Sequence, residues 1–219
     1  MENQAWIQVA EWLAGQDIPL RPLLTLSAAP DEALQAALLQ TQGGVLAGSA
    51  AAAIGCGIPD ARSVFLSAGA PEDELRAAHG RCRYLAEDPE QVRRLDALSG
   101  PLLREGYLEE IALRVAPNGE GAFTAEGIPA LARLIRRSEN LAVRALFLPF
   151  DQSGDLSRQA KDAFSLVKKI RSDLPCMLHA FCFEGLLGPL AQGDAELLHT
   201  LRMLASLNDT SLYAAFFIS

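Results

Sequence analysis

Short apolar runs alternate along this chain with longer segments in which apolar residues recur at helical spacing. Continuous apolar runs between turn residues indicate buried strands, and recurrence at i, i+3 and i+4 indicates helices that pack on one face. The predicted strands span residues 22–26, 44–47, 63–67, 83–86, 110–115, 142–150, 175–183 and 211–218. The predicted helices span residues 4–14, 31–40, 50–55, 72–78, 89–98, 156–170 and 194–207, with one more that begins at Thr124.

This alternation favours parallel strands that are joined by right-handed helical crossovers. About eight strand–helix units is the number that closes a barrel. We therefore predict an α/β fold, a single (β/α)8 TIM-type barrel over residues 1–219, with an extra N-terminal helix in residues 1–18 packed on it. The alternative is an open doubly wound sheet, although no G-x-G-x-x-G motif follows the first predicted strand.

Composition and charge argue against several classes of protein. The net charge is −8 and no dense lysine/arginine stripe occurs, which predicts no nucleic-acid partner. No run of about 18 uncharged apolar residues could span a bilayer, and the N-terminus has no signal-peptide pattern. The four cysteines form no C-x-x-C pair, and the histidines have no metal-ligand spacing. We expect a cytoplasmic protein without a metal site.

Several segments in fixed order resemble a known family. They are Leu26-Ser27-Ala28-Ala29-Pro30, Ala47-Gly48-Ser49-Ala50, residues 58–65 (Ile-Pro-Asp-Ala-Arg-Ser-Val-Phe) and Leu113-Arg114-Val115-Ala116-Pro117. Their order and spacing resemble the barrel of fold-type III pyridoxal-phosphate enzymes, which include the diaminopimelate, ornithine and arginine decarboxylases and alanine racemase. The resemblance covers about the first two-thirds of the chain and implies the same barrel.

The differences from that family lie at the positions that carry its chemistry. Leu26 stands where the resemblance places the Schiff-base lysine, and an isobutyl group cannot form a Schiff base. Residues 145–150 contain no ring-stacking histidine, and Glu184 stands in the segment that corresponds to a phosphate-binding glycine turn. The family's C-terminal β-domain has no counterpart in these residues. We therefore predict a degenerate homologue with no cofactor and no catalytic residue.

Polar residues at the carboxyl ends of the predicted strands are the candidates for a ligand site, because barrels of this kind carry their sites at that end. The candidates are Ser49, Asp88, Arg114, Asp151, His179 and Glu184. Arg114 is expected to point into the barrel, where an arginine needs either a carboxylate or an anionic ligand. Glu87, Asp88 or Glu184 could supply that carboxylate. His179 fits either a satisfied core residue or a proton carrier.

The sequence is compatible with two functions. The leading hypothesis is a non-catalytic barrel that binds a small ligand or a partner. The alternative is a cofactor-independent enzyme in which Arg114 holds a small anionic substrate and Glu184, Asp151 or His179 moves a proton. We expect a homodimer or a protein partner to dock on an apolar cluster at the barrel mouth, meaning the opening at the carboxyl ends of the strands. This cluster consists of Phe147, Phe150, Phe183 and Leu187.

Overall fold

Eight parallel strands close into a barrel in the order in which they occur along the chain. The computed structural model describes residues 2–16, 20–104, 106–116, 123–124, 126–151, 153–174, 177–186, 190, 192–206 and 211–215. The strands are β1 Leu20–Leu26, β2 Gly44–Ala47, β3 Val64–Ser67, β4 Arg83–Ala86, β5 Glu109–Arg114, β6 Leu141–Pro149, β7 Ala180–Glu184 and β8 Ser211–Ala215. β8 pairs with β1, so the predicted α/β barrel is confirmed and the open sheet is wrong.

Helices separate the strands and cover the outside of the barrel. They are α1 Glu2–Ala14, α2 Glu32–Gln40, α3 Ala50–Gly55, α4 Glu72–Ala77, α5 Pro89–Ser99, α6 Ile128–Arg137, α7 Leu156–Asp173 and α8 Ala195–Ser206. Asp31, Ser49 and Asp88 begin α2, α3 and α5 as N-caps, because their side-chain oxygens accept backbone N–H groups of the first turn. The extra helix α1 packs against β1 and α2. Among the described residues, no helix is both long and apolar enough to span a membrane.

The inside of the barrel is filled by a mixture of large and small side chains. This inner cluster contains Leu23, Phe65, Leu85, Ala112, Ala145, Phe147, Ala180, Cys182 and Tyr213. The Phe65 and Phe147 rings meet edge to face with centroids 4.9 Å apart, a favourable aromatic geometry. The barrel is therefore a packed core, and any ligand must bind at one of its two ends.

Contacts between distant strands hold the closed barrel in register. The Tyr213 hydroxyl on β8 lies 2.8 Å from the Ser63 Oγ just before β3. Gly44, on the intervening β2, allows this approach: a Cβ there would lie 2.8 Å from Leu23 Cδ1 and 2.9 Å from the Ser63 carbonyl oxygen. Because a backbone oxygen cannot move aside cheaply, a glycine is required at this position.

A bulge in β6 interrupts the pairing with β5. Ile111 is paired with Val143, but the next residue, Ala112, is paired with Ala145, so Arg144 is an additional residue in β6. Such bulges redirect a side chain at the rim of a barrel. The boundaries of β7 also differ from the sequence prediction: residues 177–179 lie outside the strand, which begins at Ala180. Residues 175–176 lie outside the described part of the chain.

Candidate functional site

Arg114, at the carboxyl end of β5, forms the centre of a charged cluster at the mouth. Its Nε and Nη2 atoms donate to Glu184 at 2.9 and 2.5 Å, and its Nη1 atom donates to Glu87 Oε1. Glu184 ends β7 and Glu87 follows β4, so closure of the barrel brings the three residues together. Of the alternatives left open by the sequence, Arg114 thus has carboxylate partners, while Asp88 is not one of them.

The three members of this cluster differ in burial. The Glu184 side chain is 3% exposed, whereas those of Arg114 and Glu87 are 23% and 25% exposed. Burial raises the pKa of Glu184 above its ordinary value; the Arg114 guanidinium opposes this shift and the Glu87 carboxylate adds to it. One guanidinium faces two carboxylates, so the ionised cluster carries a net negative charge.

Two hydroxyl residues face the mouth from β1 and β3. Side chains alternate along a strand, and Leu23 and Phe65 belong to the inner cluster, so Thr25 and Ser67 face inward as well. Thr25 is nevertheless exposed, which means that the mouth is open to solvent beside β1. Sequence reasoning missed Thr25, although the in–out alternation along β1 is the signal that could have found it.

The pyridoxal phosphate implied by the resemblance does not fit this mouth. Leu26 packs in the outer cluster between the strands and helices, so its side chain does not point into the barrel. The lysines of the chain are Lys161, Lys168 and Lys169, all on the exposed surface of α7. At the end of β7 a phosphate would meet the buried Glu184 carboxylate. The mouth therefore offers neither a lysine amine for a Schiff base nor a neutral anion cradle at this strand.

Three of the predicted site residues are engaged in local backbone contacts. Ser49 Oγ accepts the Ala52 N–H, and Asp88 Oδ1 accepts N–H groups at the start of α5. Asp151 is exposed and accepts both the N–H and the hydroxyl of Ser153, which lowers the pKa of Asp151. The structure does not bring these residues into the Arg114 cluster.

His179 lies at the opposite end of the barrel from Arg114. It precedes β7, and its Nδ1 atom is 3.5 Å from Arg83 Nη2 at the start of β4. The expectation that it lies at the carboxyl ends of the strands is wrong, because β7 begins five residues later than predicted, at Ala180 and not at residue 175. His179 therefore cannot act on a ligand bound beside Arg114.

The apolar cluster predicted as a docking surface is buried. Phe147 belongs to the inner cluster, and Phe150 and Phe183 pack edge to face with centroids 5.6 Å apart. Phe164 of α7 packs on Phe183 from outside. The expectation that these phenylalanines are exposed is wrong, because α7 covers the outer face of β6 and β7. Leu187 lies outside the described residues, and a protein partner stays a prediction.

A cavity of about 470 Å³ adjoins the charged cluster. It lies between the end of β4, the first turns of α5 and one side of α6. Its walls are formed by Glu87, Asp88, Pro89, Arg93, Phe123, Thr124, Gly127, Ala130, Leu131 and Leu134. Glu87 belongs to both sites, because it contacts Arg114 and lines the cavity. A volume of this size suits a small organic ligand.

Comparisons with solved structures agree with this architecture. The ornithine decarboxylase of Entamoeba histolytica is 13% identical with a TM-score of 0.73, covering 97% of this chain and 63% of that one. The diaminopimelate decarboxylase of Helicobacter pylori, complexed with L-lysine, is 15% identical with a TM-score of 0.72, covering 98% and 61%. The Paramecium bursaria Chlorella virus arginine decarboxylase, bound to agmatine, is 12% identical with a TM-score of 0.69, covering 95% and 62%. This chain has the barrel fold of these decarboxylases.

The similarity to these structures is limited to the fold. Sequence comparison matches no family model and no curated protein to the chain. The chain also spans less than two thirds of the length of the decarboxylases it resembles. Function must therefore be argued from the residues at the mouth.

Proposed function

We propose that this barrel binds a small cationic amine at its mouth and forms no Schiff base with pyridoxal phosphate. The observation that carries the proposal is the position of Glu87. Arg114 donates a hydrogen bond to the Oε1 atom of Glu87. The Oε2 atom of Glu87 has no hydrogen-bond partner within the described part of the chain. This free oxygen belongs to a residue that lines the cavity of about 470 Å³. A partly desolvated carboxylate oxygen is a good acceptor for an ammonium or guanidinium group.

The rest of the cavity suits an amine with a short carbon chain. Glu87 and Asp88 outnumber Arg93 among its charged side chains, so the cavity favours a cation. Phe123, Leu131 and Leu134 supply an apolar wall. Burial of apolar surface contributes about 25 cal/mol per Å², so alkyl carbons against this wall would add to the charge interaction.

The ligands of two similar structures belong to the same chemical class. The Helicobacter pylori decarboxylase is complexed with L-lysine and the viral arginine decarboxylase is bound to agmatine. Both ligands carry a basic group on an alkyl chain. At this level of identity the likeness supports the choice of ligand class for a test and nothing narrower.

The alternative, a cofactor-independent enzyme acting on a small anion, is less well supported. Both oxygens of Glu184 accept from Arg114, so Glu184 is not free to take a proton from a substrate. The charge of Arg114 is already matched by two carboxylates, and Asp151 and His179 lie elsewhere. The mouth therefore favours a cation over an anion.

Isothermal titration calorimetry with agmatine, putrescine and L-lysine tests the proposal, with glutarate as the anionic control. We expect binding of at least one amine and none of glutarate. Glu87→Gln should weaken that binding about tenfold, because it removes a charge-assisted contact. Glu90→Gln makes the same charge change on an exposed side chain of α5 that does not line the cavity, and should bind as the wild type does. Binding of glutarate alone, or equal affinities in the two variants, would refute the proposed site.

A further inference from the structure

The amino-terminal end of the barrel, opposite the mouth, carries a cluster of basic side chains. Arg83 begins β4, Arg144 is the bulge residue of β6, and His179 precedes β7. Arg21 on β1 shares the inward face of Leu23, two residues further along the strand. Of the described carboxylates, Glu110 is the one that pairs with these arginines.

Arg83 binds one carboxylate oxygen of Glu110 with two donors. Its Nε and Nη2 atoms donate to Glu110 Oε2 at 2.8 and 2.5 Å. Its Nη1 atom donates to the backbone carbonyl of Arg62 at 3.1 Å. Arg83 is almost fully buried and its charge is matched by a close carboxylate, so it is a satisfied ion pair.

Arg144, in contrast, has no close hydrogen bond to a carboxylate of the described residues. Its Nε atom lies 3.7 Å from Glu110 Oε1, beyond hydrogen-bond distance, and is buried without a hydrogen-bond partner. The side chain as a whole is 24% exposed, so its guanidinium is accessible from solvent. Arg21 is half-buried and likewise makes no ion pair with any described residue. This end of the barrel thus carries Arg21 as well as Arg83 and Arg144, the two arginines that lie beside the Glu110 carboxylate, and the buried Arg144 Nε atom has no hydrogen-bond partner in the described part of the chain.

We propose that the amino-terminal end of the barrel binds a small oxyanion, a phosphate or carboxylate group, through Arg144 and Arg21 beside the Arg83–Glu110 pair. A guanidinium presents parallel N–H donors that match the spacing of carboxylate or phosphate oxygens. An oxyanion at the exposed part of the Arg144 guanidinium would accept its remaining N–H donors and would offset the excess positive charge. This site is separate from the amine site, since the packed inner cluster lies between the two ends of the barrel.

The pKa of His179 can report the binding of an anion at this end of the barrel. Burial lowers the pKa of His179, and the charges of Arg83, Arg144 and Arg62 lower it further, while Glu110 opposes them. An anion bound among these arginines would favour the imidazolium, so the His179 pKa should rise towards its ordinary value of 6.5. General screening by salt would also raise it, which requires a control at matched ionic strength.

NMR titration of the His179 ring resonances tests the proposal. In the wild type, inorganic phosphate should raise the His179 pKa in a saturable way and by more than sodium chloride does at equal ionic strength. Acetate in place of phosphate distinguishes a carboxylate site from a phosphate site. Either anion supports the proposal, and failure of both to shift His179 beyond chloride overturns it.

Arg144→Gln assigns the effect to the cluster. It should weaken phosphate binding about tenfold or more, because a charged donor is lost. Arg158→Gln makes the same charge change on the exposed surface of α7 and should respond as the wild type does. Equal responses in these two variants overturn the proposal. Should Arg144→Gln not fold, Arg21→Gln removes a side chain that pairs with no carboxylate of the described residues, and an unchanged phosphate affinity in that variant is the overturning result. Glu87→Gln, at the other end, should leave the phosphate response unchanged, so failure of the amine site is distinguishable.

Discussion

Arg114 on β5 and Glu184 on β7 form a two-point ion pair across the barrel mouth, although they lie 70 residues apart in the chain. The Nε–Oε2 distance is 2.9 Å and the Nη2–Oε1 distance is 2.5 Å. The pair lies on the inward face of the two strands, two residues beyond the inner-cluster residues Ala112 and Cys182. Glu184 is almost fully buried and depends on Arg114 as its counter-ion, so the loss of either charge should be felt in stability.

We expect Arg114→Met to lower the free energy of unfolding at neutral pH by roughly 3 kcal/mol, because it leaves a buried carboxylate without its counter-ion. This loss of unfolding free energy should be smaller at acidic pH. The folded-state pKa of Glu184 is raised above 4.5, so its contribution to stability is present below that value and declines as pH rises through the folded-state pKa. Without Arg114 that pKa should rise further. Urea unfolding at neutral pH and below pH 4.5 measures both effects.

Arg133→Met is the matched control for this change. Arg133 is exposed on α6, and its Nε atom donates only to the Pro129 carbonyl at 3.3 Å among the described contacts. Its replacement should change the free energy of unfolding by less than about 0.5 kcal/mol. An equal loss for Arg114→Met at both pH values would contradict a role as counter-ion to Glu184.

His179→Asn should flatten the pH dependence of stability just below neutrality. The pKa of His179 is lowered in the folded protein, first by burial and then by the surrounding arginines. The unfolded chain therefore binds the proton more readily, and stability falls as pH drops from 6.5 towards the folded-state pKa. Thermal unfolding across this range should show a smaller slope in the variant. A slope unchanged in His179→Asn would count against this assignment.

Phe150→Asp should destabilise the fold by roughly 3 kcal/mol or more, because it removes a buried aromatic ring and buries a carboxylate. Phe150 packs against Phe183 and not at a free surface. Tyr107→Asp is the control, since Tyr107 is 68% exposed. Chemical unfolding of both variants measures the difference. A Phe150→Asp protein as stable as the Tyr107 variant would restore the view that Phe150 belongs to an exposed docking surface.

Equimolar pyridoxal phosphate should give no stoichiometric Schiff base at one defined lysine. All the lysines, Lys161, Lys168 and Lys169, lie on the exposed surface of α7, on the outside of the barrel. Any adduct trapped with borohydride should therefore be weak and compete with free lysine in solution. Absorbance and peptide mapping after reduction measure this. A single lysine modified to completion and protected from competing amine would prove the expectation wrong.

The sequence alone predicted the barrel because the barrel is encoded in local patterns. Apolar runs at β1 to β4 and capping residues such as Asp31 and Asp88 mark strand ends and helix starts within a few residues. It also predicted that Arg114 would point inward, from its place between apolar neighbours. The resemblance that aligns Leu26 with the family's lysine did not reveal that Leu26 faces the outer helices, because a shift of one residue along a strand exchanges the inner face for the outer one.

The start of β7 could not be predicted from the local sequence. Residues 175–183 are largely apolar, and their composition does not say where pairing with β6 begins. That point is set by the register of Ala145 with Ala180, which puts His179 outside the strand and at the amino-terminal end. The apolar character of Phe150 and Phe183 likewise did not reveal that α7 covers them.

Strand and helix order, the N-caps and the absence of a lysine outside α7 were determined by the sequence by itself, since each depends on residue types and their spacing. Only the tertiary structure decided that Glu184 and Glu87 are the partners of Arg114, and that Arg144 stands unsatisfied beside Glu110. Those groups come from strands far apart in the chain. Their meeting depends on strand order, register and one bulge, and the energy of a charge depends on the burial and the partner that this geometry provides.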